Sequence, residues 1–272
     1  MKPDSFSRQE LGSSIRQIVE EDVDEGVFPE RSELVRSYAR HHMKRFSDVV
    51  DLILIPRAIG IRILDVGIAY GFYDIALKKR YNVMIDGVDL PDNIPSFCGM
   101  LQKHGIQVKP CDLTKERLPF ADETFDVVIF SEVIEHLRVH PIILLREIRR
   151  VLKTGGYVIV TTPNVARLTN VFTLLFGKNV FEEFKCDLPN QAHITDSWTH
   201  IREYTLNELR SLIHESDLKV DRVKMSRCWN GFHRAMVQSN SRLKRFCALI
   251  DSIITLFLHR YRACIMISAR KL

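Results

Sequence analysis

Short apolar runs alternate with amphipathic segments along most of this 272-residue chain. Seven runs of six to eight residues begin near positions 61, 83, 106, 125, 157, 218 and 264. Runs of that length suit buried strands, whereas several of the segments between them have apolar positions at the helical spacing of three and four residues. Strands that alternate with helices are typical of a sheet covered on both faces. The pattern therefore predicts an α/β, doubly wound fold with a mostly parallel, seven-stranded sheet.

The segment before the first strand is predicted to be helical. Pro29 and Pro56 delimit a helix over Glu30–Ile55, and another is predicted over Ser7–Val23. In the second helix we expect the apolar positions to face the core, namely Leu34, Tyr38, Val49, Val50 and Ile53. We expect the basic positions to lie on the wetter surface, namely Arg36, Arg40, Lys44 and Arg45. This divides the chain into a helical cap at 1–58 and one domain at 59–272.

The connection after the fifth strand is unusually long. Residues 164–204 separate this strand from the next helix, whereas such connections commonly have ~2–6 residues. Long loops at this edge of an open sheet shape substrate pockets, so 164–204 is predicted to be a substrate-side insertion. A helix over Thr205–Ser216 should follow, because Thr205 and Glu208 have the spacing of a capping box.

Charge is unevenly distributed along the chain. The formal net charge is +5, but residues 222–272 contain 11 Lys or Arg and one acidic residue. This favours an anionic partner, with a merely solvated basic face as the alternative. No aromatic repeat or RNA-binding signature accompanies the basic residues, so nucleic acid is not the expected partner. The apolar window Phe246–Leu258 contains Asp251 and is too short to span a bilayer. We expect a helix packed on the sheet, and peripheral membrane contact through 242–262 is the alternative.

The six cysteines form no Cys-x-x-Cys pair, and the N-terminus has no apolar signal region. These features predict a reduced, cytoplasmic chain.

A glycine-containing turn follows the first strand, in the segment IRILDVGIAYGFYDIA. Gly67 and Gly71 remove side chains where the backbone turns or a ligand approaches. A dinucleotide fingerprint that starts at Gly67 requires glycines where the chain has Ala69 and Phe72, so that class of ligand is disfavoured. Asp89 ends the second strand about 20 residues further on, where a carboxylate is placed to accept the hydroxyls of a ribose.

The motif Asp65-x-Gly67-x-Ala69-x-Gly71 resembles the first motif of the class I S-adenosylmethionine-dependent methyltransferases, with Ala69 in place of its middle glycine. Further motifs follow in the family's order over about 100 residues, including LKTGG at 152–156, where Thr154 replaces a proline. The resemblance implies a Rossmann-like fold, S-adenosylmethionine as methyl donor and S-adenosylhomocysteine as product. It assigns cofactor contacts to eight residues: Asp65, Gly67, Gly71, Asp89, Leu90, Asp112, Leu113 and Ser131.

In this assignment Asp65, Asp89 and Asp112 converge on one adenosyl group. For Asp112 the alternative is a turn residue that bonds its own backbone.

A hydroxyl acceptor loses its proton during methyl transfer, so an O-methyltransferase needs a base or a metal beside the acceptor. The candidates near the predicted site are Glu132, Glu135, His136, His140, His193 and His200. We favour His200 and Glu132 as the catalytic residues. In many family members the second glutamate and the histidine of the sequence SEVIEH are structural, and this is our expectation for Glu135 and His136.

Two further resemblances concern the acceptor. The sequence HIREYT at 200–205 resembles bacterial methyltransferases of glycan biosynthesis, and it favours a hydroxyl of a glycan or a lipid-linked sugar. The expected partner is therefore a small-molecule or glycan acceptor, which can be anionic or lipid-linked. Small-RNA ribose methyltransferases bind a divalent metal at positions that match Glu132, Glu135, His136 and His200. RNA ribose, a quinone-type phenol and a non-catalytic cofactor-binding protein remain as alternatives, and we expect no metal.

Overall fold

The computed structural model describes residues 6–24, 32–53, 60–81, 83–180, 200–228 and 242–272. One sheet contains seven strands: β1 (Arg62–Val66), β2 (Met84–Asp89), β3 (Gln107–Pro110), β4 (Phe125–Ser131), β5 (Leu152–Pro163), β6 (Leu218–Ser226) and β7 (Cys264–Lys271). Their order is β3-β2-β1-β4-β5-β7-β6. The strands β1 to β5 are parallel, and β7 is antiparallel to both of its neighbours. The predicted α/β fold is confirmed.

Helices cover the sheet on both faces. The described residues contain α1 (Arg8–Asp24), α2 (Ser32–Val50), α3 (Phe72–Arg80), α4 (Cys98–Lys103), α5 (Pro141–Val151), α6 (Leu168–Leu175), α7 (Leu206–Glu215) and α8 (Arg242–Phe257). The order of the strands reverses between β1 and β4, and in open parallel sheets ligands bind at such a switch point.

Successive residues of the central strands belong to two different hydrophobic cores. Ile63 and Ile129 face the core that also contains residues of α1, α2 and α3. Leu64 and Val128 face the core that contains residues of α5 and α7. Because side chains alternate across a strand, a continuous apolar run is required to supply both cores.

The strand β5 begins at Leu152, before the strand predicted at 157–162. Its pairing with β4 jumps from Phe125–Leu152 to Val127–Tyr157, so residues 153–156 of the LKTGG motif form a bulge. Gly155 has a positive φ of 80° in this bulge.

The N-terminal helices are bonded to distant elements. Asp22 of α1 accepts hydrogen bonds from Lys103, at 2.8 Å, and His104, at 3.0 Å. Asp48 of α2 lies 2.8 Å from Lys224 of β6 and accepts a hydrogen bond from Ser226. These bonds connect α1 to the end of α4 and α2 to β6, whereas the division of the chain at residue 58 stays a prediction.

Two expectations for α2 are wrong. Leu34 is 62% exposed, and Arg45, expected on the surface, is 7% exposed. The buried face of α2 runs one position further along, through Val35, Ala39 and Phe46. Periodicity identifies an apolar stripe, but it does not reveal that α2 crosses a polar part of the sheet edge, where an arginine is buried opposite a carboxylate.

The insertion at 164–204 contains α6, and its residues 181–199, with His193 and Trp198, lie outside the described residues. Among the residues that the structure describes, no helix combines the length and the apolarity needed to cross a bilayer.

Candidate functional site

The turn between β1 and α3 has a backbone that two glycines make possible. Gly67 and Gly71 have φ values of 78° and 53°. A Cβ on Gly67 would lie 2.5 Å from Val133 Cγ2, and one on Gly71 would lie 2.6 Å from a methyl group of Leu101. Both positions therefore require glycine for conformation and for space.

Ala69 also adopts the left-handed conformation, with φ of 47°. This conformation costs ~1–2 kcal/mol for a residue that has a Cβ, which explains why the family motif has glycine there. A hydrogen bond of 2.9 Å from the Ala69 amide to Asp89 Oδ2 offsets part of the cost.

Asp89 connects the end of β2 to the glycine turn. Its second oxygen, Oδ1, accepts hydrogen bonds from the Leu90 amide and the Asn93 side chain, both at 2.8 Å. Burial raises the pKa of Asp89 above its usual range, although these bonds oppose the shift. A carboxylate has about four acceptor positions, so Asp89 retains capacity for a further donor.

The other two predicted aspartates have different surroundings. Asp65 is 1% exposed and accepts a hydrogen bond of 2.5 Å from Tyr73 of α3. Asp112 accepts hydrogen bonds from the Thr114 amide at 3.0 Å and hydroxyl at 2.6 Å, and it forms an ion pair with Lys115. This is the turn geometry that the sequence left open for Asp112. Its contact with adenine, the matching contacts of Leu90 and Leu113, and the convergence of the three carboxylates stay predictions.

A narrow cavity lies between α2 and the glycine turn. It is lined by Tyr38, Arg45, Phe46, Gly67, Ile68, Ala69, Gly71, Phe72, Tyr73 and Ser131. Arg45 donates a hydrogen bond of 3.1 Å to the Tyr38 hydroxyl, and its guanidinium lies 3.6 Å from Glu132 Oε2. The cavity thus combines backbone amides, a buried cation and aromatic rings.

Sequence reasoning missed Arg45 as a site residue. Arg45 lies seven residues after Tyr38, which places both on one side of α2. This spacing was the available signal that Arg45 faces the same surroundings as Tyr38.

Glu132, which follows Ser131 of the cavity wall, is held by three elements. It has a positive φ of 58°, and its Oε1 accepts a hydrogen bond of 2.7 Å from Thr161 of β5. Cys264 of β7 donates to the same oxygen at 3.7 Å, and Arg45 of α2 faces the other oxygen. Ser131 beside it shares a hydrogen bond of 2.8 Å with Thr161. The Glu132 side chain is therefore fixed near the cavity, and the catalytic role of Glu132 stays a prediction.

Glu135, His136 and His200 form a second group of polar side chains. One ligand-type atom from each of the three lies within 4.8 Å of the others, and the two imidazole rings meet edge to face at 5.0 Å. Glu135 is fully buried, its Oε2 accepts a hydrogen bond of 3.0 Å from Thr162, and its Oε1 has no hydrogen-bond partner.

Burial, together with the nearby carboxylate of Glu132, raises the pKa of Glu135 well above its usual range. The donor set of one carboxylate and two imidazoles fits a divalent cation. Glu132, the fourth residue of the predicted metal set, does not belong to the group. The main-chain oxygen of Glu135 also accepts hydrogen bonds from the Ile201 and Arg202 amides, and the structural role of the Glu135 side chain stays a prediction.

His200 is positioned by Glu203, which is paired with Arg167 directly before α6. Its Nδ1 lies 3.2 Å from Glu203 Oε1, and Arg167 contacts the other oxygen of Glu203 at 2.5 Å. Burial raises the pKa of Glu203, but the bonds to His200 and Arg167 outweigh it and hold the pKa below its usual range. An ionised Glu203 orients the His200 ring, as a base requires. His140, another candidate, caps α5 instead.

Comparisons with known proteins bear on the family and the fold of the chain. Residues 64–160 match the family model of the methyltransferase domain. The chain is 33% identical over 121 residues to phosphoethanolamine N-methyltransferase 3 of Arabidopsis thaliana, which covers 43% of this chain and 23% of that protein. It is 29% identical over 202 residues to the mitochondrial ubiquinone biosynthesis O-methyltransferase of Mus musculus, which covers 71% of this chain and 48% of that protein. The chain thus spans less than half the length of either relative.

Among solved structures, an S-adenosylmethionine-dependent methyltransferase from Mesorhizobium loti shares the fold, with a TM-score of 0.54 and 15% identity over 85% of this chain and 97% of that chain. Residues 64–160 thus match a methyltransferase domain, and the fold of the chain is that of S-adenosylmethionine-dependent methyltransferases.

Proposed function

We propose that this protein transfers a methyl group from S-adenosylmethionine to a hydroxyl of a glycan or a lipid-linked sugar. The observation that supports the methyltransferase part is the cavity at the switch point, which Arg45 lines and whose wall residue Ala69 is bonded to Asp89. An acid bonded to the glycine turn and a cation that lines the cavity beside this turn match the two ends of the donor, a ribose with hydroxyl donors and an amino acid with a carboxylate.

Each end of the donor has a proposed partner. Asp89 accepts from the ribose hydroxyls, and Asp112 with Leu113 flanks the adenine ring. Arg45 binds the carboxylate of the methionine part, because it is a buried cation beside Gly67 and Ser131. Asp65 lies behind the turn and stabilises it through Tyr73.

The bound donor supplies an electrophilic methyl group, and the chain supplies position and a proton acceptor. Holding an acceptor in line with the sulfur–methyl bond contributes up to ~7–11 kcal/mol in favourable cases. His200 takes the hydroxyl proton on its Nε2 as the oxygen bonds to the methyl carbon and the bond to sulfur breaks. Glu203 stabilises the resulting imidazolium.

A second candidate is a quinone-type phenol or a ribose hydroxyl methylated with help from a divalent metal. The observation that favours it is the cluster of Glu135, His136 and His200. The likeness to a ubiquinone biosynthesis O-methyltransferase over 202 residues supports the phenol. In this mode a metal would lower the pKa of the acceptor hydroxyl, and His200 would be a ligand instead of a base.

Titration calorimetry tests the cofactor site. We expect S-adenosylhomocysteine to bind in the micromolar range, and both Asp89→Ala and Arg45→Met to weaken it by about tenfold or more, because hydrogen bonds to charged groups contribute ~1.5–3 kcal/mol each. The matched controls are Asp92→Ala, an exposed acid three residues beyond Asp89, and Arg40→Met, an exposed arginine on the same helix as Arg45. Equal affinities for a variant and its control would remove the corresponding assignment.

A screen with labelled methyl donor then identifies the acceptor. Soluble glycans, lipid-linked glycans and catechols are the three classes to compare. Label transfer to catechols alone would replace the sugar hydroxyl with the phenol.

A further inference from the structure

Exposed apolar side chains cluster on two neighbouring helices, α6 and α8. We define the apolar ridge as Phe172, Leu174, Leu175 and Phe176 with Leu249, Ile253, Leu256, Phe257 and Leu258. Phe176 is 79% exposed and Phe257 is 76% exposed. The helices α6 and α8 contact each other, so the two parts of the ridge lie on neighbouring elements. A contiguous apolar surface rimmed by polar residues marks an interaction site.

The exposed side of α8 has basic residues near its first turn and apolar residues in the rest of the helix. Arg242, Arg245, Leu249, Ile253 and Leu256 follow one another at spacings of three and four residues, which places them on one side of the helix. All five are exposed. The other side contains the buried Asp251 and Thr255. The stripe therefore runs from two arginines to an apolar end.

The charges around the ridge have one sign. Residues 242–263 contain five Lys or Arg, and their one acidic residue, Asp251, is buried. Residues 168–180 contain Lys178, which is exposed, and no acidic residue. An apolar surface with a basic rim is complementary to a lipid layer with anionic headgroups, in which apolar side chains insert and arginines meet phosphates.

The ridge adjoins the acceptor side of the proposed site. The Asn164 side chain, directly after β5, donates hydrogen bonds of 2.8 Å to the main-chain oxygens of Arg260 and Arg262, beyond the end of α8. Arg167, directly before α6, holds Glu203, which in turn holds His200. The elements that carry the ridge thus also position the proposed base.

We propose that the apolar ridge docks on the surface of a bilayer that contains anionic lipids, and that α6 and α8 lie in the plane of its headgroups. The acceptor then carries a lipid tail and reaches the site from the membrane. This second part rests on the proposed methyl transfer, whereas the docking itself does not. The helix α8 has 16 residues, fewer than a span requires, so it lies along the bilayer instead of crossing it.

Flotation with lipid vesicles tests the docking. The purified full chain is expected to float with vesicles of phosphatidylcholine and phosphatidylglycerol, and less with phosphatidylcholine alone. Phe176→Ser combined with Phe257→Ser should lower the bound fraction at least tenfold. The control is Ile143→Ser on α5, which removes a side chain that is 59% exposed outside the ridge. Arg242→Gln with Arg245→Gln should lower binding to the anionic vesicles and leave binding to the neutral ones unchanged.

Three results would overturn the docking: no flotation of the parent protein, equal flotation of the Ser variant, or a parent dimer in light scattering that the Ser variant loses, since the ridge would then bind a second copy of the chain. Circular dichroism and S-adenosylhomocysteine affinity of each variant separate these results from misfolding and from failure of the cofactor site. If the protein floats but lipid-linked acceptors take no label, the docking of the ridge on the bilayer is supported and the lipid-linked acceptor is contradicted.

Discussion

The surroundings of Asp65 show how one residue of the motif connects the first strand to the helix after the glycine turn. Its carboxyl group is buried between the glycine turn and α3, where Tyr73 donates to one oxygen and the other oxygen has no hydrogen-bond partner. Burial raises the pKa of Asp65 to about 6. The acid therefore stabilises the turn best in its neutral form.

This pKa predicts a pH dependence of stability. A carboxyl group whose pKa is raised on folding contributes stability below its unfolded pKa of ~4, and that contribution is lost as pH rises through about 6. Between pH 4 and pH 7 the free energy of unfolding of the parent should fall relative to that of Asp65→Asn, by ~1 kcal/mol or more, because one pKa unit corresponds to ~1.4 kcal/mol and the neighbouring buried Asp74 shares the effect. Urea unfolding of the cofactor-free parent and variant at each pH measures this difference in the free energy of unfolding. Asp92→Asn, an exposed control, should run parallel to the parent.

At the scale of elements, the start of α7 is encoded locally. Thr205 accepts from the Glu208 amide at 3.3 Å, and Glu208 accepts from the Thr205 amide at 2.8 Å, which completes the predicted capping box. The same Glu208 binds Arg202 at 2.7 Å. The cap therefore fixes both the helix and the HIREYT segment that contains the candidate base.

Removing the cap should destabilise the protein measurably. Thr205→Ala is expected to lower the free energy of unfolding by about 1 kcal/mol, because it leaves the Glu208 amide without its partner. Ser211→Ala, on an exposed position of the same helix, should change it little, since alanine suits a helix interior. Denaturant titration of both variants gives the difference. A cost for Ser211→Ala as large as that for Thr205→Ala would remove the capping explanation.

At the scale of the whole molecule, the cluster of Glu135, His136 and His200 is assembled from two segments distant in the sequence. Glu135 and His136 follow β4, whereas His200 precedes α7, and the Glu135 main-chain oxygen joins the two segments. This juxtaposition allows either a base held by Glu203 or a metal site.

Chelation distinguishes the two. We expect turnover on the acceptor found in the screen to survive chelating agents, and His200→Ala to lower kcat by about 10²- to 10⁴-fold, as the loss of a general base does. His214→Ala, an exposed histidine on α7, is the control. If turnover is lost on chelation and returns with Mn²⁺, or if calorimetry detects Mn²⁺ binding that His200→Ala abolishes, the base is replaced by the metal site.

The sequence by itself determined the features that depend on neighbouring residues. The seven strands follow from apolar runs that alternate with amphipathic segments. The glycine turn follows from backbone conformation, and the capping box from short-range hydrogen bonds. The Asp89 carboxylate at the end of β2 was also predictable, because parallel strands end at one edge of the sheet.

Only the tertiary structure decided which partner each polar side chain faces. Arg45 is buried because α2 crosses the sheet edge above Glu132, and Leu34 is exposed because the buried stripe of that helix lies one position further along. Glu135 and His200 meet because a loop returns to the end of β4. Local periodicity encodes which face of an element is apolar, but what covers that face depends on contacts between residues far apart in the chain.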